Sequence, residues 1–159
     1  MCDYSLMAFP NRLAADGELL VVHRFPSNSM GLASPDDLRA KARVKSAQRS
    51  FWESVKGFFL GAEESLVPAV CIPPGARLRL SEIGEELRGR YSLEPEEDVT
   101  FEQLSQAANT YRDAIAFRNG RKVRLQDLPE GQRVTVVRIA GSETEAAPVD
   151  SEVLLRRAE

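Results

Sequence analysis

Cysteine and histidine are almost missing from this chain: its 159 residues include two cysteines, Cys2 and Cys71, and one histidine, His23. Two cysteines are too few for a disulfide framework. No pair among Cys2, Asp3, His23 and Cys71 has the spacing of a metal motif, so neither a metal nor a cofactor is expected. A basic excess is also lacking. The net charge is −3 and the isoelectric point is near 5.4, which argues against a sequence-specific nucleic-acid partner. No run approaches the roughly 18 apolar residues of a membrane span. Met1-Cys2-Asp3-Tyr4 is not the charged head of a signal peptide, so a cytoplasmic location is the default expectation. There is no glycine loop leading to Gly-Lys-Ser/Thr, no Gly-x-Ser-x-Gly elbow and no pair of helical histidines.

What is present is a short stretch written twice. Ile72-Pro73-Pro74-Gly75-Ala76-Arg77-Leu78-Arg79-Leu80 and Leu128-Pro129-Glu130-Gly131-Gln132-Arg133-Val134-Thr135-Val136 each run from an aliphatic residue through Pro-x-Gly into Arg and an alternating apolar strand. Gly75 and Gly131 stand third in a four-residue turn, where a type II geometry needs positive φ. The pattern points to a strand–turn–strand duplication.

Taken in order, residues 3–9 and 18–25 read as strands, the second rich in β-branched and aliphatic residues after the turn at Ala15-Asp16-Gly17. Residues 26–31 read as a polar loop. Ser34, Pro35, Asp36 and Asp37 then form a helix start. Ala40, Val44, Ala47, Phe51, Val55 and Phe58 follow as one apolar stripe, which predicts a helix over about 35–60. Residues 67–80 hold the first repeat, and residues 81–98 are acidic, with a short helix over 81–88. Residues 99–111 support two readings. Thr100 and Gln103 have capping-box spacing, with Phe101, Leu104, Ala108 and Tyr111 on one helical face, whereas Val99-Thr100-Phe101 favours a strand. Strands at 114–117 and 122–125 flank Asn119-Gly120, a strong hairpin signal, and Arg133 to Ile139 adds a third. The fold class expected is mainly β with one long helix (α+β): a small barrel-like antiparallel β domain over residues 1–140, carrying a helical insertion at about 35–60. Residues 141–159, rich in Ser, Glu, Ala and Pro, read as a flexible tail.

Met1-Cys2-Asp3-Tyr4-Ser5, Val70-Cys71-Ile72-Pro73-Pro74-Gly75, Arg112-Asp113-Ala114 and Leu128-Pro129-Glu130-Gly131-Gln132-Arg133 together resemble a group of small bacterial proteins that open the same way. The basic helix at 35–60 looks like an addition to shorter members. Those members place a His where this chain has Tyr111, and the resemblance implies no activity.

Two features carry candidate chemistry. If Met1 is removed, Cys2 offers an α-amine beside a thiol, a self-contained base and nucleophile of the kind used by N-terminal-nucleophile amidohydrolases and by proteins that form covalent adducts. His23 is its candidate partner, although a strand histidine sharing a face with Val21 and Phe25 is more simply a satisfied core or edge residue. Cys71, between Val70 and Ile72, reads as an inert buried thiol. The second feature is the helix, where Arg39, Lys41, Arg43, Lys45 and Arg49 precede Trp52. A basic amphipathic helix ending in aromatics can bind an acidic protein partner or touch a membrane peripherally, or it can pack on the domain with the acidic 82–102 segment as counterweight. The reading favoured is a non-enzymatic binding or interaction module for a protein partner or small ligand. An N-terminal-cysteine nucleophile and a helix-borne partner or membrane surface are the alternatives.

Overall fold

The computed structural model describes residues 6, 9–52, 67–105 and 111–139, with side chains of the long helix described as far as residue 44. Nine strands are present among them: β1 (Asn11–Leu13), β2 (Leu19–Arg24), β3 (Met30–Ala33), β4 (Ala69–Cys71), β5 (Arg77–Ser81), β6 (Glu97–Gln103), β7 (Asp113–Phe117), β8 (Lys122–Arg124) and β9 (Arg133–Arg138). Two helices accompany them, α1 (Pro35–Trp52) and α2 (Glu85–Tyr91).

Seven strands form one antiparallel sheet in the order β3-β2-β9-β5-β6-β7-β8, and β1 pairs in parallel with β4. Strand alternation explains the sheet's two faces. In β5, Leu78 and Leu80 are fully buried while Arg77 and Arg79 face out; in β9, Val134 and Val136 are buried, alternating with Arg133, Thr135 and Val137. A period of two thus sends every second side chain inward. Leu20, Val22, Val99, Phe101, Ile115 and Phe117 join them in the main core. The sheet curls into a half-barrel. Its edge strands β3 and β8 are linked through a 3-10 turn at Leu125–Asp127, where the Met30 N–H donates to Gln126 Oε1 at 2.8 Å.

The two Pro-x-Gly bends adopt matching geometry. Gly75 and Gly131 both have φ of 88°. Ala76 N–H closes its turn on the Pro73 carbonyl at 3.3 Å, and Gln132 N–H closes on Pro129 at 3.2 Å. Each glycine N–H then donates to a neighbouring strand at 2.7 Å, Gly75 to Phe101 and Gly131 to Val22. Those strand residues donate back at 2.9 Å, Phe101 to Ala76 and Val22 to Gln132.

Several expectations change. Residues 3–9 lie mostly outside the described residues, as do 53–60 and the 141–159 tail. A second helix accompanies the long one: the short helix expected over 81–88 forms at Glu85–Tyr91, a few residues later, packing Leu87 and Tyr91 against the main core. The segment read as helix or strand is strand β6 through Gln103, because Val99 and Phe101 supply inward groups at period two between β5 and β7. Met30–Ala33, expected to start as loop, pairs with β2 as an edge strand. The apolar stripe expected on α1 does not face the sheet at its start. Ala40 is exposed and Val44 is 53% exposed, whereas Leu38 packs into a second small core of Leu6, Phe25, Ala33, Val67 and Ala69. The strand face beneath presents Phe25 and Ala33, and these take up Leu38. The Asn119-Gly120 hairpin forms as expected, with Gly120 at φ 81° and its N–H on the Phe117 carbonyl. Its tip reaches α2, Asn119 Nδ2 donating to the Tyr91 carbonyl at 3.0 Å and Arg121 Nη1 to the Arg90 carbonyl at 2.9 Å.

Candidate functional site

The outward residues of β5, β6 and β7 build an open depression of about 340 Å³ lined by Arg77, Asp98, Thr100, Glu102, Ala116 and Arg118, with backbone of Val99 and Phe117 between them. Register explains why these six meet. Arg77 lies opposite Thr100, and Thr100 opposite Ala116, so one row crosses three strands. The small Ala116 side chain leaves the space, and longer polar groups ring it.

Charges around the depression are mostly paired. Asp98 accepts from Arg79 Nε and from Arg118 Nη2, each at 2.8 Å. The Arg79 hydrogen bond chiefly holds the Asp98 carboxyl below its ordinary range, with the fields of Arg118 and Arg77 adding to it. Glu102 pairs with Lys122. Arg77 has no ion-pair partner among the described residues, and neither has Arg138, its facing residue on β9. At this point the β5–β9 register shifts, so that Val137 is the extra residue of a bulge. The bulge leaves both Val137 and Arg138 exposed.

The residues singled out from sequence lie elsewhere. Cys2 is outside the described residues. His23 sits on the outer face of β2 with Phe25, their rings 5.1 Å apart at 68°. Its Nδ1 is 3.1 Å from Glu130 Oε1, which also accepts from the Arg24 N–H at 3.0 Å. The second bend is thereby tied to β2 by its own Glu130, and His23 is a satisfied strand histidine. Cys71 is disulfide-bonded, which corrects the expectation of an inert thiol; such bonds persist in oxidising surroundings. On α1, Arg39 pairs with Asp36 at 3.3 Å, Lys41 lies close enough to His23 to affect its charge, and Arg43 is exposed. Lys45, Arg49 and Trp52 fall on the helix beyond its described side chains. The acidic counterweight expected for this helix pairs with strand arginines and a strand lysine instead: Glu82 with Arg133, Asp98 with Arg79 and Arg118, Glu102 with Lys122. Among the described residues, no helix is long and apolar enough to cross a membrane, and no three His, Cys, Asp or Glu side chains converge as metal ligands would.

Sequence reasoning missed Arg77, Thr100, Arg118 and Arg138. Alternation places each on an outward face, but only sheet order and the bulge bring them side by side.

The pH response of the fold is predictable in sign. Desolvation, reinforced by Lys41 and opposed by Glu130, holds His23 below its ordinary value of 6.5. The unfolded chain then binds a proton more readily than the fold does, so this contribution to stability is present above pH 6.5 and lost as pH falls through the depressed folded value. The Arg12 hydrogen bond likewise lowers Glu18 from 4.5, a contribution lost at still lower pH. Denaturant midpoints should therefore drop between pH 7.5 and 5.5, and His23→Gln should flatten that step while leaving the more acidic one.

Comparison with protein-family models, with curated proteins and with solved structures found no match.

Proposed function

We propose that this chain is a non-enzymatic binding module whose ligand surface is the outer face of β5, β6 and β7. The observation that carries the reading is the open depression over Ala116, polar, ringed by charged groups and of a volume suited to a small molecule. The site and not the fold carries this reading, since a curled β-sheet hosts many activities.

An internal duplication strengthens the reading. In this view β2, β3 and β9 correspond to β6, β7 and β5, with Leu20 matching Val99, Val22 matching Phe101 and Val134 matching Leu78. The pairings support it: Leu20 faces Val134 as Val99 faces Leu78, and Val22 faces Leu32 as Phe101 faces Ile115. Leu78 faces Val136 and Leu80 faces Val134, as a twofold relation between β5 and β9 requires.

The two halves then differ where it matters. The counterparts of Arg77, Thr100 and Ala116 are Arg133, Val21 and Ala33. Arg133 is neutralised by Glu82 at 2.7 Å. Ala33 is fully buried in the small core that receives Leu38 of α1. One half has this face packed and covered; the other leaves it open, polar and with an arginine unpaired.

Amide-resolved NMR during titration with a library of small polar fragments tests the proposal. Shifts should cluster at Thr100, Ala116, Phe117 and Arg118. Responses confined to α1, around Arg39, Lys41 and Arg43, would refute it in favour of the helix as the interaction surface.

A further inference from the structure

We infer that the open face takes a phosphate monoester on a hydroxyl-bearing ligand, the phosphate lying on the Arg77–Arg138 pair and the hydroxylated part over Thr100 and Ala116. The inference rests on the reading of this face as the ligand surface and adds the ligand's chemical class.

Three observations lead there. The first is a like-charge pairing in register. Arg77 and Arg138 are directly facing residues on β5 and β9, an arrangement that is unfavourable without a counter-ion. Neither has a carboxylate within ion-pair distance among the described residues, although the field of Arg77 reaches Asp98, which is already paired with Arg79 and Arg118, in a chain that has more acidic than basic side chains overall. An anion from outside would relieve the repulsion. Two guanidinium forks presented together suit the tetrahedral oxygens of a phosphate, each arginine donating two hydrogen bonds.

The second is the bulge. It falls at Arg77, where pairing with β9 shifts by one residue. Bulges re-aim side chains and recur next to binding sites. Here it keeps Arg138 outward beside Arg77, with Val137 also exposed, where regular alternation would have turned one of two successive residues inward.

The third is what lies next to the pair. Thr100 faces Arg77 across β5–β6, and Ala116 faces Thr100. The Thr100 hydroxyl can donate and accept, and the carboxylates of Asp98 and Glu102 retain acceptor capacity after their ion pairs form. Such a rim suits ligand hydroxyls. It does not suit a nucleobase, because Phe117 points inward to the core and the row from Arg138 through Arg77, Thr100 and Ala116 to Lys122 offers no ring to stack on.

The test is a titration of the full chain with glycerol 3-phosphate, inorganic phosphate and glycerol, followed by amide NMR and calorimetry at low salt. Glycerol 3-phosphate should shift Arg77, Thr100 and Arg138 and bind more tightly than inorganic phosphate, with glycerol silent at equal concentration. Arg77→Gln and Arg138→Gln should each weaken binding about tenfold, the usual worth of a lost charge-assisted contact. Arg77→Lys, which keeps charge but not the fork, should fall between. Both arginines are exposed, so the variants should melt as the wild type does. Glycerol 3-phosphate binding that is unchanged in an Arg77→Gln, Arg138→Gln double variant would overturn the inference, as would equal affinity for inorganic phosphate. If glycerol 3-phosphate is silent while uncharged or cationic fragments still shift Thr100 and Ala116, the phosphate assignment fails and the binding face stands. Silence at this face toward every probe overturns both.

Discussion

Phe101→Ala should cost about 3–5 kcal/mol of folding stability, the range for truncating a buried aromatic. Phe101 is 2% exposed and the largest of the most deeply buried side chains. It sits in the middle of β6, between Ala76 on one side and Ile115 of β7 on the other, and its backbone holds the first Pro-x-Gly bend by two hydrogen bonds. Losing the ring removes apolar burial and leaves a cavity that a sheet fixed on both sides cannot close. The loosened strand also weakens the grip on Gly75 and Ala76, which position Arg77. Denaturant unfolding followed by circular dichroism should show a lower midpoint with an unchanged slope. Val137→Ala, on the exposed side of the bulge, should stay within about 0.5 kcal/mol. Equal losses from the two variants would mean that β6 is not the centre of the core.

That prediction turns on a segment whose state the chain leaves ambiguous. Val99, Phe101 and Gln103 fit a strand, and Phe101, Leu104 and Ala108 fit a helix face, because two periodicities overlap over so few residues. The choice is made by partners distant in sequence, β5 and β7, which bury Val99 and Phe101 together. Local signals sufficed elsewhere. Gly75 and Gly131 announce their positive φ by residue type, Asn119-Gly120 announces its hairpin, and Ser34-Pro35-Asp36-Asp37 announces the start of α1. The direction in which α1 faces was not legible. Its stripe from Ala40 to Phe58 is periodic, yet among the described side chains Ala40 and Val44 are exposed and the contact is made by Leu38, since the pocket formed by Phe25 and Ala33 lies at the helix start. The candidate site was least legible of all. Nothing in the sequence says that Arg77 will face Arg138, because that depends on β9 lying beside β5 and on a one-residue bulge between them.

Gly31→Ala should lower stability by about 1–3 kcal/mol, the usual cost of forcing atoms into a filled core. A Cβ at Gly31 would lie 2.5 Å from Leu6 Cδ1 and 2.9 Å from Phe25 Cε2, well inside contact distance. Gly31 pairs with His23 on β2, so the strand cannot shift to make room without disturbing the His23–Glu130 contact that ties down the second bend. Gly89→Ala supplies the opposite case. It lies within α2 with nothing near its would-be Cβ, and should gain roughly 0.5–1 kcal/mol from helix propensity. If crowding is the cause, adding Leu6→Ala to Gly31→Ala should recover part of the loss, with a coupling energy measurable in a double-mutant cycle. The same logic separates the two halves of the sheet. Ala33→Leu pushes into the closed small core and should be as costly as Gly31→Ala, whereas Ala116→Leu grows into the open depression and should leave stability within about 0.5 kcal/mol. A tolerant Ala116 beside an intolerant Ala33 is what an open outer face over one half of the sheet and a packed core over the other predict, and the Ala116→Leu variant should at the same time fill the depression.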